Sequence, residues 1–77
     1  MNRISALLEL LEETPDDVFL LYALGLEYSK SGDQEKALEF WENLVGNHPD
    51  YLPTYYMFAQ FLSKIGDHQK AYKIVQT

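Results

Sequence analysis

Seventy-seven residues, 47% of them apolar and 23% charged, suffice for one small domain with its own core and are too few for a two-domain enzyme. Five Asp and seven Glu against five Lys and one Arg leave a net charge of −6. That sign opposes docking on phosphate backbones or anionic lipid, so neither nucleic acid nor a membrane is an expected partner. The chain has no Cys, which excludes disulfides and thiolate metal sites and suits a reducing, cytoplasmic setting.

In chain order, the first element is a helix over about 2–13, where Ile4, Leu7, Leu8, Leu10 and Leu11 alternate with Glu9, Glu12 and Glu13. This stretch lacks both the hydrophobic length and the small-residue cleavage site of a secretory leader. The longest apolar run, Val18 to Leu24, falls far short of the roughly 20 residues a membrane helix needs. Pro15 ends the first helix, and the Asp that follows it is placed to cap a second helix over about 17–30. Leu21, Leu24, Gly25 and Tyr28 fall on one face of that helix. Gly32 then supplies a left-handed stop and Asp33 an N-cap for a third helix over about 34–46, with Ala37, Trp41, Leu44 and Val45 as its apolar stripe.

The same grammar then recurs. Shifting the chain by 34 residues brings ten of 43 pairs into identity, among them Pro15 on Pro49, Asp16 on Asp50, Tyr22 on Tyr56, Lys30 on Lys64, Gly32 on Gly66, Asp33 on Asp67 and Ala37 on Ala71. The identities cluster at the Pro, Gly, Asp and Ala positions that punctuate structure, which marks a duplication. The second copy predicts a helix over about 51–64 with Pro53 in its first turn and Tyr55, Phe58, Ala59 and Leu62 on its inner face. A last helix from 68 onward keeps Ala71 and Val75. Turns of two or three residues force the helices of each pair to lie antiparallel and touching.

These residues resemble the tetratricopeptide repeat family. Its 34-residue pattern of large, small, aromatic and turn positions is matched by Leu21, Leu24, Gly25, Tyr28, Gly32, Ala37, Trp41, Leu44 and Pro49, and again by Tyr55, Phe58, Ala59, Gly66, Ala71 and Val75. Leu62 and Val75 depart from the aromatic or large preference while staying apolar. The resemblance implies an all-α array of about five helices, a right-handed solenoid of antiparallel hairpins occupying 1–77 as one domain. Repeat one would span about 17–50 and repeat two about 51–77, incomplete at its C-terminal side. It also implies a non-enzymatic protein-interaction module or scaffold that binds a partner's peptide or helix in a concave groove lined by the first helix of each pair.

Removing the packing stripes leaves Phe19, Tyr22, Leu26 and Lys30 from one copy, and Pro53, Tyr56, Gln60 and Lys64 from the other, facing that groove. Some members of the family grip a C-terminal carboxylate with Lys and Asn at set positions. Here Tyr22 and Leu26 stand at those positions, so no carboxylate clamp is expected. Aromatic rings beside two Lys suit an apolar peptide or helix face. The alternative is that the rings pack on neighbouring helices.

Neither catalysis nor a cofactor is expected. His48 and His68 sit in connections without a nucleophile or a second ligand in their sequence context. Glu9, Glu12, Glu13, Asp16 and Asp17 lack the ligand spacing and turn Gly of a calcium loop, so no metal is expected either. Residues 1–43 hold ten acids and three bases, net −7, and residues 44–77 two acids and three bases, net +1. Repeat arrays bury each unit on its neighbours, and Tyr72, Ile74 and Val75 fall in the final turns of the last helix. Two readings follow: self-association, as a homodimer formed through these apolar terminal residues, or a following segment that covers them.

Overall fold

The computed structural model describes residues 2–76, and among them there are five helices and no strand: α1 (Arg3–Glu13), α2 (Val18–Ser31), α3 (Gln34–Asn47), α4 (Pro53–Lys64) and α5 (His68–Gln76). α2 packs most closely on α3 and α4 on α5, giving two helical hairpins, with α1 laid on α2 and α4 on both α2 and α3. The array measures 35 × 26 × 15 Å across its Cα atoms, a slab so thin that a helix is buried only where neighbours flank it. α1 has no buried residue for this reason.

The punctuation works as the residue types require. Asn2 caps α1, its Oδ1 accepting from the Ser5 N–H at 2.8 Å. Gly32 ends α2 at φ +88°, and Gly66 repeats the turn after α4 at φ +91°, a region that only Gly enters cheaply. The amides of Asp33 and Asp67 donate back to the carbonyls of Tyr28 and Leu62. The same two Asp side chains then accept from the Lys36 and Lys70 amides at 3.2 Å, opening α3 and α5. Two N-termini differ from expectation. Asp17, not Asp16, caps α2, accepting from the amides of Phe19 and Leu20, while Asp16 Oδ1 lies 3.0 Å from His48 Nε2. α4 has Leu52 at its N-cap position, no side-chain cap, and Pro53 in its first turn. There the Pro ring pre-sets φ and removes one donor that would otherwise need a cap. His48 is accordingly half-buried, tying the α3–α4 connection to the α1–α2 connection.

The core is one cluster in which Leu21, Ala37, Trp41, Leu44, Phe58, Phe61, Leu62 and Ala71 are buried together. Trp41 is its hub at 0% exposure. Its ring stacks on Phe58 at 6.3 Å between centroids and meets the edge of Tyr22 at 5.7 Å. The indole can sit there because residue 25 is Gly: a Cβ on Gly25 would lie 3.1 Å from the ring. Trp41 Nε1 donates to Ser29 Oγ at 3.1 Å, and that hydroxyl donates to the Gly25 carbonyl at 2.7 Å, so the buried indole keeps a partner. The expected stripes hold at Leu21, Leu24, Gly25, Ala37, Trp41, Leu44, Phe58 and Leu62, all buried. Thr54 and Phe61 join them unanticipated, and Thr54 Oγ1 is buried with no hydrogen-bond partner. Val75, read as part of the last stripe, is 57% exposed, because no helix among the described residues lies over it.

Candidate protein-interaction surface

α2 and α4, the first helices of the two hairpins, carry the residues singled out as a groove. The structure sorts them into three places. Phe19 is 68% exposed, and its ring meets Tyr51 edge-on at 6.0 Å. Tyr22 lies between Tyr51, at 5.5 Å, and Trp41, and is half-buried. Burial pushes its phenol above the ordinary 10.0, with the neighbouring Tyr51 adding to the shift. Phe19, Tyr22 and Tyr51 thus form an aromatic ledge at the start of α2, in which Tyr51 comes from the α3–α4 connection.

The second place is a slot of about 240 Å³ where the end of α2 and start of α3 face the outer half of α4. Leu26, Trp41, Met57, Phe61 and Ile65 supply its apolar wall, and Lys30, Gln60 and Lys64 its rim. Four of the expected groove residues, Leu26, Lys30, Gln60 and Lys64, are therefore brought together here. Lys30 and Lys64 occupy the same position in the two repeats and are both exposed. Lys30 Nζ is 3.9 Å from Glu27 Oε2, an oxygen that Arg3 of α1 holds more closely at 3.0 Å. Solvent weakens pairs of this kind, leaving the ammonium available to an incoming carboxylate. Such a slot, apolar within and cationic at its lip, can seat one large apolar side chain and hold an acidic neighbour.

The third place is a shallow groove of about 720 Å³ between α4 and α5, lined among others by Tyr56, Ala59, Ala71, Tyr72 and Val75. Tyr56 and Tyr72 are 64% and 65% exposed, and Gln60 Nε2 donates to Tyr56 Oη at 3.0 Å, holding the phenol over α4. Gln60 and Lys64 border this groove as well as the slot. Pro53 is exposed at the start of α4, and Ile74 is half-buried against the core while Val75 faces out.

Met57, Phe61, Ile65 and Tyr51 were not anticipated in these surfaces. Their counterparts in the first repeat are Ala23, Glu27, Ser31 and Asp17, so the repeat offered no template for them. A possible signal was the run of apolar residues in α4 at more positions than one face requires. Among the described residues, no three His, Cys, Asp or Glu side chains come together as a metal site, and no helix is long and apolar enough to cross a membrane.

Residues 20–49, which hold nearly all of α2, the Gly32 turn and α3, match the family model described as a tetratricopeptide repeat. Over 40 residues the chain is 45% identical to Photosystem I assembly protein Ycf3 of Rippkaea orientalis (strain PCC 8801 / RF-1). That match covers 51% of this chain and 23% of the length of the relative. No solved structure matches the chain. The hairpin closed by Gly32, the seat of Trp41 on Gly25 and these two likenesses agree that residues 20–49 form a tetratricopeptide repeat, a kind of unit that mediates protein–protein interaction.

Proposed function

We propose that this chain is a non-enzymatic docking module that takes a short peptide or helix of a partner protein along α2 and α4, without a carboxylate clamp. The observation that carries this reading is the slot walled by Leu26, Trp41, Met57, Phe61 and Ile65 beneath the repeat-related pair Lys30 and Lys64. A large aliphatic or aromatic side chain of the partner fills the slot, and acidic residues flanking it meet the two ammonium groups. Phe19 and the Tyr22–Tyr51 ledge extend the contact towards the start of α2 with rigid rings that lose little entropy on binding. Tyr56 borders the far side. The relative discussed above is an assembly protein by name, which supports a role in bringing protein subunits together.

A random peptide-display library selected against the whole chain tests this. Enriched peptides should share one large apolar residue next to Asp or Glu, and Lys30→Glu combined with Lys64→Glu should weaken them roughly tenfold or more at low salt. Both Lys are exposed, so the double variant should fold. Peptides without an acidic flank, or ones indifferent to the charge reversal, would sink the assignment.

A further inference from the structure

Charge divides this molecule across its helices as well as along its chain. α1 and α3 end, and α2 and α4 begin, at one edge of the array; α2 and α4 end, and α3 and α5 begin, at the other. Glu12, Glu13, Asp16, Asp17 and Asp50 lie in or beside the two connections of the first edge, where the sequence has no Lys or Arg. Lys30, Lys36, Lys64 and Lys70 lie beside the Gly32 and Gly66 turns of the second. Phe19, Tyr22, Leu26 and Lys30 fall on one stripe of α2 that joins the two edges, so the ledge opens at the acidic edge and the slot at the cationic one. Both lie where α1, α3 and α4 pack on α2. Building on the docking function proposed above, we infer that the Phe19–Tyr22–Tyr51 ledge is a subsite for an Arg of the partner protein. The docked segment is then bipolar, with its Arg at the Phe19 end and its acid-flanked apolar residue in the slot.

The chemistry of the occupant follows from what the ledge offers. Phe19 keeps 68% of its surface open beside Tyr51, and a hollow of about 350 Å³ lined in part by Val18, His48, Asp50 and Tyr51 adjoins the two rings. Asp17 is committed to its cap, accepting from the amides of Phe19 and Leu20. Asp16 faces His48 through Oδ1, yet its side chain is 82% exposed, and Asp50 is exposed next to Tyr51. Aromatic faces bordered by carboxylates suit a guanidinium, which stacks flat on a ring while its N–H groups donate to an acid in the same plane. From Phe19 to Lys30 the helix rises about 16 Å, a span that about five residues of extended peptide or about eleven of helix would cover. A second copy of this chain is a poor source of that Arg. Two copies at −6 each repel, and the one Arg in the sequence, Arg3, is held by Glu27 at 3.0 Å.

The probe is the set of peptides that a display library enriches on the whole chain. They should carry an Arg about five or about eleven residues from the apolar anchor, and Ala in its place should weaken them about fivefold or more. Phe19→Ala and Asp50→Lys should each cause a similar loss with the Arg peptide and none with the Ala peptide. Phe19 and Asp50 are exposed, so both variants should keep their helicity by circular dichroism. Lys30→Glu with Lys64→Glu reads the slot separately. Peptides that lose affinity there but are indifferent to Phe19→Ala or to Asp50→Lys would overturn the ledge and leave the slot standing. Peptides sensitive to both ledge variants and indifferent to the Lys pair would keep the Arg subsite and remove the slot. Enriched peptides without a basic residue would also overturn the inference. So would a concentration-dependent dimer by light scattering that Asp50→Lys abolishes, which would make a second copy the occupant.

Discussion

The two hairpins share a framework and differ in how far it is used. α2–α3 is flanked by α1 on one side and α4 on the other, whereas among the described residues α4–α5 is flanked only by the first hairpin. Residues 37 and 71 are both Ala and both buried, and Leu24 and Phe58 are equally hidden. Trp41 and Val75, at the same repeat position, are 0% and 57% exposed. Position within the repeat sets which way a side chain points, and the neighbouring hairpin decides whether that direction is dry. A repeat protein is stabilised across its seams, so its energetics are uneven even where its sequence is periodic.

The comparison is broken most forcefully at its hub. Trp41→Ala should cost about 3–5 kcal/mol, the range for emptying a fully packed aromatic site, and given the size of the chain it should leave it largely unfolded. Val75→Ala should cost under about 0.5 kcal/mol, as expected of an exposed position. Urea titrations followed by circular dichroism would report both, and equal losses would mean that the two hairpins are packed alike.

A finer cut is Gly25→Ala, which writes the residue of the second repeat into the first. Helix propensity favours Ala by about 1 kcal/mol, but the new Cβ meets the indole at 3.1 Å, and overpacking costs about 1–3 kcal/mol. A net loss near 1 kcal/mol is expected, turning into a gain when Trp41→Val is already present. A double-mutant cycle measures this change of sign; additive effects would uncouple Gly25 from the ring.

A single hydroxyl is at stake at Thr54, which occupies the position of Leu20. Its buried hydroxyl has no partner, so Thr54→Val should raise stability by about 1 kcal/mol, seen as a higher thermal midpoint. A lower midpoint would show that the hydroxyl is needed.

The period, the Gly–Asp turns and the inner stripes could be read directly because each depends on residues within a few positions of one another. Gly32 with Asp33, and Gly66 with Asp67, fix a turn whatever packs nearby. What escaped depends on contacts far along the chain. Asp16 and Asp17 are equally good caps by type, and the choice went to Asp17 while Asp16 lies beside His48, 32 residues away. Tyr22 and Leu26 have groove-facing register, yet both are half-buried against the core, Tyr22 on the edge of Trp41. Phe61 replaces Glu27, a change that lets α4 close the slot and that a pattern drawn from the first repeat conceals.

The chain has a single tryptophan, and it sits where α2, α3 and α4 meet. Its emission therefore watches that junction alone. Water reaching the indole would shift the fluorescence to the red and break its bond to Ser29. Detachment of α1 or fraying of α5 would lower helical ellipticity while leaving the colour of the emission in place. The two optical signals, recorded on one sample, separate partial opening at the ends from collapse of the centre, and any gap between their midpoints measures how far the array departs from all-or-none unfolding.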